Sequence, residues 1–107
     1  MSELQHLVLF RFPDDLSPED EKEMFAQVSA WPEKIGGFTR LRLGKDVSGR
    51  SRGYQYALMV EFEDEEAAKR YHPHPVHQAF AGWVADRGCE VLALDYPLDS
   101  STRILDG

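Results

Sequence analysis

The sequence has one cysteine, Cys89, among its 107 residues. A lone thiol excludes an intrachain disulfide and is typical of a protein from a reducing compartment. Basic residues are scarce as well: Lys and Arg total 12 against 19 Asp and Glu, so the formal net charge is −7. Nucleic acids and anionic membrane surfaces attract basic faces, and this charge therefore argues against both as partners.

Long apolar runs and a secretion signal are also missing. The chain starts Met-Ser-Glu-Leu-Gln-His, with no basic segment followed by an apolar run, so we expect no signal peptide. Every apolar run is far shorter than the ~20 residues of a membrane-spanning helix. We therefore expect a cytoplasmic protein with one domain, residues 1–97, and a C-terminal tail, residues 98–107, whose Ile104 and Leu105 could pack on a partner subunit.

The segment from Tyr71 to His77 reads Tyr-His-Pro-His-Pro-Val-His and holds three of the four histidines. Proline lacks a backbone N–H and disfavours helical backbone in the residue before it. We therefore expect His72 and His74 to be extended and Pro75 to be the first residue of a new helix. Side chains that titrate near neutral pH would then line a kinked turn, which predicts the wall of a pocket.

Apolar periodicity along the rest of the chain predicts a small α+β domain. Strands are predicted at residues 4–12, 38–47, 54–62 and 89–96, the last ended by Pro97. One helix should start at Ser17-Pro18 and stop near Trp31, and a helical segment from residue 63 should lead into the helix at Pro75. This order is the ferredoxin-like βαββαβ arrangement, a four-stranded antiparallel sheet with its helices on one face.

The faces of the predicted strands suggest a partner. Alternation places His6 on the same side of the first strand as Phe10 and Phe12, and places Leu7 and Leu9 on the other side. Both faces are apolar, yet the helices cover only one of them. An uncovered apolar face implies a partner, so we expect a homodimer in which two copies meet sheet to sheet.

Five segments of the sequence form a pattern that spans roughly residues 4 to 97. They are His-Leu-Val-Leu-Phe-Arg-Phe from His6, Gly-Lys-Asp-Val-Ser from Gly44, Ala-Leu-Met-Val-Glu-Phe-Glu-Asp from Ala57, Tyr71 followed by His-Pro-Val-His and Phe80, and the pair Asp95-Tyr96. Together these segments resemble the stress-response A/B barrel domain (Dabb) family of dimeric α+β barrels.

The resemblance implies a homodimer with a pocket between sheet and helices in each subunit. The family includes a plant polyketide cyclase, which closes an aromatic ring by intramolecular aldol condensation. Its working residues resemble Tyr71, His77 and His6, with His74 as the other motif histidine. The sequence departs from that cyclase in having His72-Pro73 where the cyclase has two aliphatic residues, and this change would reshape the pocket entrance.

The residues themselves support two hypotheses with chemistry in the pocket. In the first, His77 removes a proton α to a carbonyl, Tyr71 donates to the enolate oxygen and His6 orients the substrate, so that a cyclase or lyase reaction needs no cofactor. In the second, His72, His74 and His77 hold a metal ion, although the two prolines limit how their rings converge. We expect neither a metal nor a cofactor.

A third hypothesis is a binding pocket without catalysis. Phe10 and the aromatic residues near it would line a cavity for a small apolar or aromatic ligand. His74 would then cap the helix, and His77 would bond to a backbone carbonyl. Asp95 would bond to backbone N–H groups or to a motif histidine, whose basicity it would raise. A small-molecule-binding protein of this kind is the expected function, and the cofactor-independent cyclase or lyase is the alternative.

Overall fold

Four antiparallel strands form one sheet in the computed structural model, which describes residues 3–103. Along the chain the elements are β1 (Glu3–Arg11), α1 (Pro18–Ser29), α2 (Trp31–Lys34), β2 (Phe38–Lys45), β3 (Tyr56–Phe62), α3 (Glu65–Tyr71), α4 (Pro75–Asp86) and β4 (Glu90–Leu98). The strands lie in the order β2-β3-β1-β4, and every neighbouring pair is antiparallel. The predicted ferredoxin-like βαββαβ fold is confirmed.

The helices cover one face of the sheet and bury alternate side chains of β1 and β3, as the alternation predicted. From the strands these buried residues are Val8, Phe10, Tyr56, Leu58, Val60 and Phe62. The helices contribute Met24, Val28, Trp31, Tyr71, Phe80 and Val84 to the same core. Each large apolar side chain buried here stabilises the fold by about 1.5–3 kcal/mol.

The opposite face of the sheet is apolar but exposed. Leu92 and Leu94 on β4 are 53% and 57% exposed. The register pairs them with two leucines of β1, and these pair on their other side with two residues of β3. We call this surface the open face; it consists of Leu7, Leu9, Ala57, Met59, Leu92 and Leu94.

The first helix begins as predicted but ends earlier. Ser17 accepts a hydrogen bond from a first-turn amide at 3.1 Å, and Pro18 is the first helical residue. The predicted stop near Trp31 agrees to within two residues, since α1 ends at Ser29, and Trp31 begins the separate helix α2. Pro32 fits there, since the first residues of a helix need no partner for their amide N–H.

All four strands have other limits than predicted, although β1 (Glu3–Arg11 instead of residues 4–12) differs by only one residue at each end. β2 stops before Val47, which is 99% exposed rather than part of an apolar face. β3 begins after Tyr54, whose ring instead lies 5.3 Å from the guanidinium of Arg11. β4 begins after Cys89 and continues through Pro97, because β4 is an edge strand and tolerates a missing amide N–H.

The longest helices in the described part of the chain have 12 residues, and no helix there is long and apolar enough to cross a membrane. The predicted packing of Ile104 and Leu105 falls outside the described residues. The division into a domain of residues 1–97 and a tail of residues 98–107 stays a prediction.

Candidate functional site

The turn between α3 and α4 carries the histidine motif. His74 is extended (φ −60°, ψ 134°), its Nδ1 accepts the amide N–H of Val76 at 3.1 Å, and Pro75 begins α4, so these predictions are confirmed. The prediction that His72 is extended is wrong. His72 ends α3 with helical backbone (φ −57°, ψ −50°), because its carbonyl oxygen accepts side-chain hydrogen bonds from the first turn of α4.

A cavity of about 210 Å³ lies where α4 faces β1 and β4. Most of its walls are apolar: Val8, Phe10, Leu58, Phe80, Ala81, Val84, Val91 and Ala93. Its polar groups come from His6, Tyr71, His72 and His77. An apolar cavity with a few converging polar groups is the usual form of a ligand site. Because typical pockets have roughly 300–1,000 Å³, this smaller cavity suits a small ligand.

His77 has one ring nitrogen engaged and the other available. Its Nδ1 lies 3.0 Å from the carbonyl oxygen of His72. A carbonyl can only accept, so Nδ1 carries the proton, and the neutral ring has its lone pair on Nε2. Burial lowers the pKa of His77 below its ordinary 6.5; the bond to the carbonyl opposes this shift, and the neighbouring histidines add to it. The ring is therefore neutral, and able to act as a base, at pH 7.

Tyr71 stands beside this base. It is 4% exposed, and its ring centroid lies 4.3 Å from that of His77. Burial, and secondarily the charge of Asp95, raises the pKa of the Tyr71 hydroxyl far above its usual value, so the hydroxyl stays protonated. Within residues 3–103 the hydroxyl has no hydrogen-bond partner, which leaves its proton for a ligand.

The helix that carries Tyr71 lies close to the turn before β2. A Cβ added to Gly37, which has φ +86°, would be 2.9 Å from the Cβ of Ala67 in α3. Glycine is required at this position both by the left-handed backbone and by the close approach of α3. The contact sets the position from which Tyr71, at the end of α3, enters the core.

His6 and Asp95 form a pair on the sheet side of the cavity. They are direct neighbours in the β1–β4 register, and the His6 Nδ1–H donates to the Asp95 carboxylate. Asp95 was expected to bond to backbone N–H groups or to a motif histidine, but its carboxylate bonds to His6 instead, because the register of two adjacent strands brings them together. The carboxylate fixes the His6 tautomer, which leaves Nε2 for the cavity. The His6 ring lies 5.7 Å from that of Tyr71.

The other two motif histidines have different surroundings. His72 is exposed at the mouth of the cavity, 5.5 Å from His77 between ring centroids. His74 is not among the described residues that line the cavity, and its Nδ1 is engaged in the helix cap. No group of three His, Cys, Asp or Glu side chains in the described ranges is arranged to hold a metal ion, so the metal hypothesis gains no support.

Trp31 packs against the rings of Tyr71 and His77. It is fully buried, and its ring centroid lies 5.5 Å from that of Tyr71 and 5.9 Å from that of His77. Its indole N–H has no hydrogen-bond partner within the part of the chain that the structure describes. Trp31 also lines a wider, open groove of about 440 Å³ between α1 and α4, away from His6. The edge-to-face packing of Trp31 restricts how far the rings of Tyr71 and His77 can move.

Most of the apolar wall of the cavity, and one polar residue beside it, were not predicted as parts of the site. Val91 and Ala93 line the cavity, and the only signal for them was their alternation with Asp95 along a mostly apolar strand. Gln78 donates from Nε2 to the carbonyl oxygen of His72 at 2.6 Å. Gln78 follows His77 in the first turn of a helix. This position gave a weak signal, because glutamine side chains there often reach back to the preceding turn.

Comparisons with known proteins agree with the predicted family. The model described as Stress responsive A/B Barrel Domain (Dabb) matches residues 4–98. A stress-response A/B barrel domain-containing protein of Arabidopsis thaliana is 32% identical over 95 residues, 87% of each chain. Olivetolic acid cyclase of Cannabis sativa is 26% identical over 95 residues, 87% of this chain and 94% of that enzyme. A dimeric ferredoxin-like protein from Bacteroides fragilis has a TM-score of 0.72 and 26% identity, covering 90% of this chain and 96% of that one.

Proposed function

The chain belongs to the stress responsive A/B barrel domain family, and from this premise we propose that its cavity is a cofactor-independent acid–base site that enolises a small carbonyl compound. The observation that carries the proposal is the pairing of a neutral His77 with a protonated Tyr71 in one apolar cavity, their ring centroids 4.3 Å apart. The similarity to a cyclase supports a reaction of the cyclase or lyase type.

The proposed step breaks one C–H bond. His77 Nε2 takes the proton from the carbon next to the substrate carbonyl, the bonding electrons form a carbon–carbon double bond, and the carbonyl oxygen becomes an enolate oxygen. Tyr71 donates its O–H to that oxygen, where the negative charge develops. The enolate carbon then attacks a second carbonyl of the same molecule, whose oxygen takes the proton from His77, or the enolate carbon takes that proton back itself.

His6 would orient the substrate in this scheme. Its Nδ1–H is held by Asp95, so its Nε2 can meet a second polar group of the substrate from the sheet side. Phe10 would pack on the apolar part of the substrate, and His72 would contact it at the mouth. His74 would contribute indirectly, because its cap holds the start of α4 and therefore His77.

Hydrogen–deuterium exchange tests this proposal without knowledge of the full reaction. A panel of β-keto and small aromatic carbonyl compounds is incubated with the protein in D₂O, and the loss of the α-proton signal is followed by NMR. We expect accelerated exchange for at least one compound, and a decrease on the order of 100-fold or more with His77→Gln. Binding without exchange would favour the non-catalytic pocket, and no acceleration across the panel would refute enolisation.

A homodimer built on the open face is a second proposal, with another copy of this chain as the occupant. Exposed leucines at positions 92 and 94 lie on the edge strand of an apolar surface, and such a surface on a small domain is usually covered. The relative from Bacteroides fragilis is described as dimeric. A two-fold axis would place the same six side chains of both copies against each other.

A further inference from the structure

One backbone oxygen receives two side chains at the junction of α3 and α4. The carbonyl of His72 accepts Gln78 Nε2–H at 2.6 Å and His77 Nδ1–H at 3.0 Å. Both donors belong to the first turn of α4, and the acceptor is the cap residue of α3. A carbonyl oxygen has two lone pairs and can satisfy both donors at once.

The direction of this carbonyl depends on the backbone of His72. The residue precedes Pro73, and a proline favours extended over helical backbone in the residue before it. His72 is nevertheless helical, with ψ −50°. Rotation of ψ to the extended range would turn the carbonyl away from α4 and break both hydrogen bonds. The two side-chain bonds therefore favour the conformation in which the oxygen faces His77.

Gln78 serves this contact although it lies on the surface. Its side chain is exposed, and the bond to the His72 carbonyl is its one hydrogen bond within residues 3–103. An exposed glutamine that is held in one rotamer loses conformational freedom, so the bond at 2.6 Å has to compensate for that loss. The Gln78 amide and the His77 ring thus share one acceptor oxygen.

We infer that Gln78 is a positioning residue for His77: it holds the His72 carbonyl where the Nδ1–H of His77 reaches it, and so keeps the His77 lone pair on Nε2. A free histidine side chain favours the opposite tautomer, with the proton on Nε2. Loss of the carbonyl contact would thus place the proton on Nε2, the nitrogen that the proposed base needs unprotonated. The catalytic value of this tautomer rests on the proposed function, whereas the tautomer itself does not.

The test measures the His77 tautomer by ¹⁵N NMR of the neutral ring, together with the α-proton exchange rate. The wild-type protein should show His77 with protonated Nδ1 and unprotonated Nε2. In Gln78→Leu both ¹⁵N shifts should move towards averaged values, and exchange should slow about fivefold, as expected for the loss of one hydrogen bond. Gln78→Lys should restore the wild-type shifts, because the ammonium group donates from a side chain of similar reach.

Gln27→Leu is the matched control, since it removes a side-chain amide on α1 that makes no hydrogen bond to the described residues. It should leave the tautomer unchanged. An unchanged tautomer in Gln78→Leu, or equal shifts in the leucine and lysine variants, would overturn the inference. A shifted tautomer in a protein whose wild-type form exchanges no substrate proton would sustain the inference and reject the proposed function, so the two failures are distinguishable.

Discussion

The rings of His77 and Tyr71 lie with their centroids 4.3 Å apart, and the same burial moves their pKa values in opposite directions. Burial favours the neutral form of each group, which is the base form of histidine and the acid form of tyrosine. At neutral pH the cavity therefore presents a proton acceptor and a proton donor side by side. Such a divergent pair is a common arrangement for acid–base chemistry.

Removal of the Tyr71 hydroxyl separates its chemical role from its packing role. Tyr71→Phe keeps the ring and deletes a hydroxyl that bonds to none of the described residues. We expect α-proton exchange to slow on the order of 100-fold, because one donor to the developing oxyanion is lost. The midpoint of urea unfolding should stay nearly constant. A variant that exchanges at the wild-type rate would exclude Tyr71 as the donor.

His77 should make the stability of the protein depend on pH. Its pKa is lowered on folding, so between the folded value and 6.5 the unfolded chain binds a proton that the folded chain does not. The free energy of unfolding should therefore have its full value above about pH 6.5. It should decrease as the pH falls from there through the folded pKa of His77. Urea titrations of wild type and His77→Gln at several pH values measure this contribution, and parallel curves for the two proteins would contradict it.

A charge on the open face should disrupt the proposed homodimer. We expect light scattering to give about twice 12.2 kDa for the wild-type protein. Leu94→Lys should give a monomer, because the charge would be buried without a partner between two apolar faces. Val47→Lys is the control, since Val47 is 99% exposed and lies outside the sheet. A wild-type monomer at micromolar concentration would rule out the dimer.

A bidentate ion pair joins the start of α1 to the end of α4. Arg87 donates to Asp20 at 3.0 and 3.2 Å, and its guanidinium stacks on Trp83 at 3.8 Å. We expect Asp20→Asn to lower the free energy of unfolding by about 1 kcal/mol, the upper end for a partly exposed pair. Glu66→Gln, which breaks the looser pair with Lys69 at 3.5 Å, should have almost no effect in the same urea titration.

Short sequence patterns predicted the parts of this fold that depend on interactions between residues close together in the chain. Alternation along β1 and β3 identified the buried faces, because one residue in two must point to the helices. Ser17 and Pro75 marked helix starts, because capping and a missing amide N–H act within a few residues. The histidines and prolines of the motif together predicted a pocket wall at a kinked turn, and Tyr71, His72 and His77 of this segment line the cavity.

Contacts between distant segments were not predictable in this way. Asp95 meets His6 only because β4 lies beside β1 in one register, and nothing near either residue encodes that register. The helical backbone of His72 contradicts the local influence of Pro73, since two hydrogen bonds from the next helix prevail over it. In both cases the deciding interaction joins separate elements.

An NMR pH titration of His77, in the free protein and with the panel of β-keto and aromatic compounds, tests the central claim most directly. We expect a midpoint below 6.5, because burial favours the neutral ring, and we expect at least one compound to shift the His77 signals. An unshifted midpoint, or His77 signals that no compound perturbs, would contradict the account and identify His77 as a structural histidine.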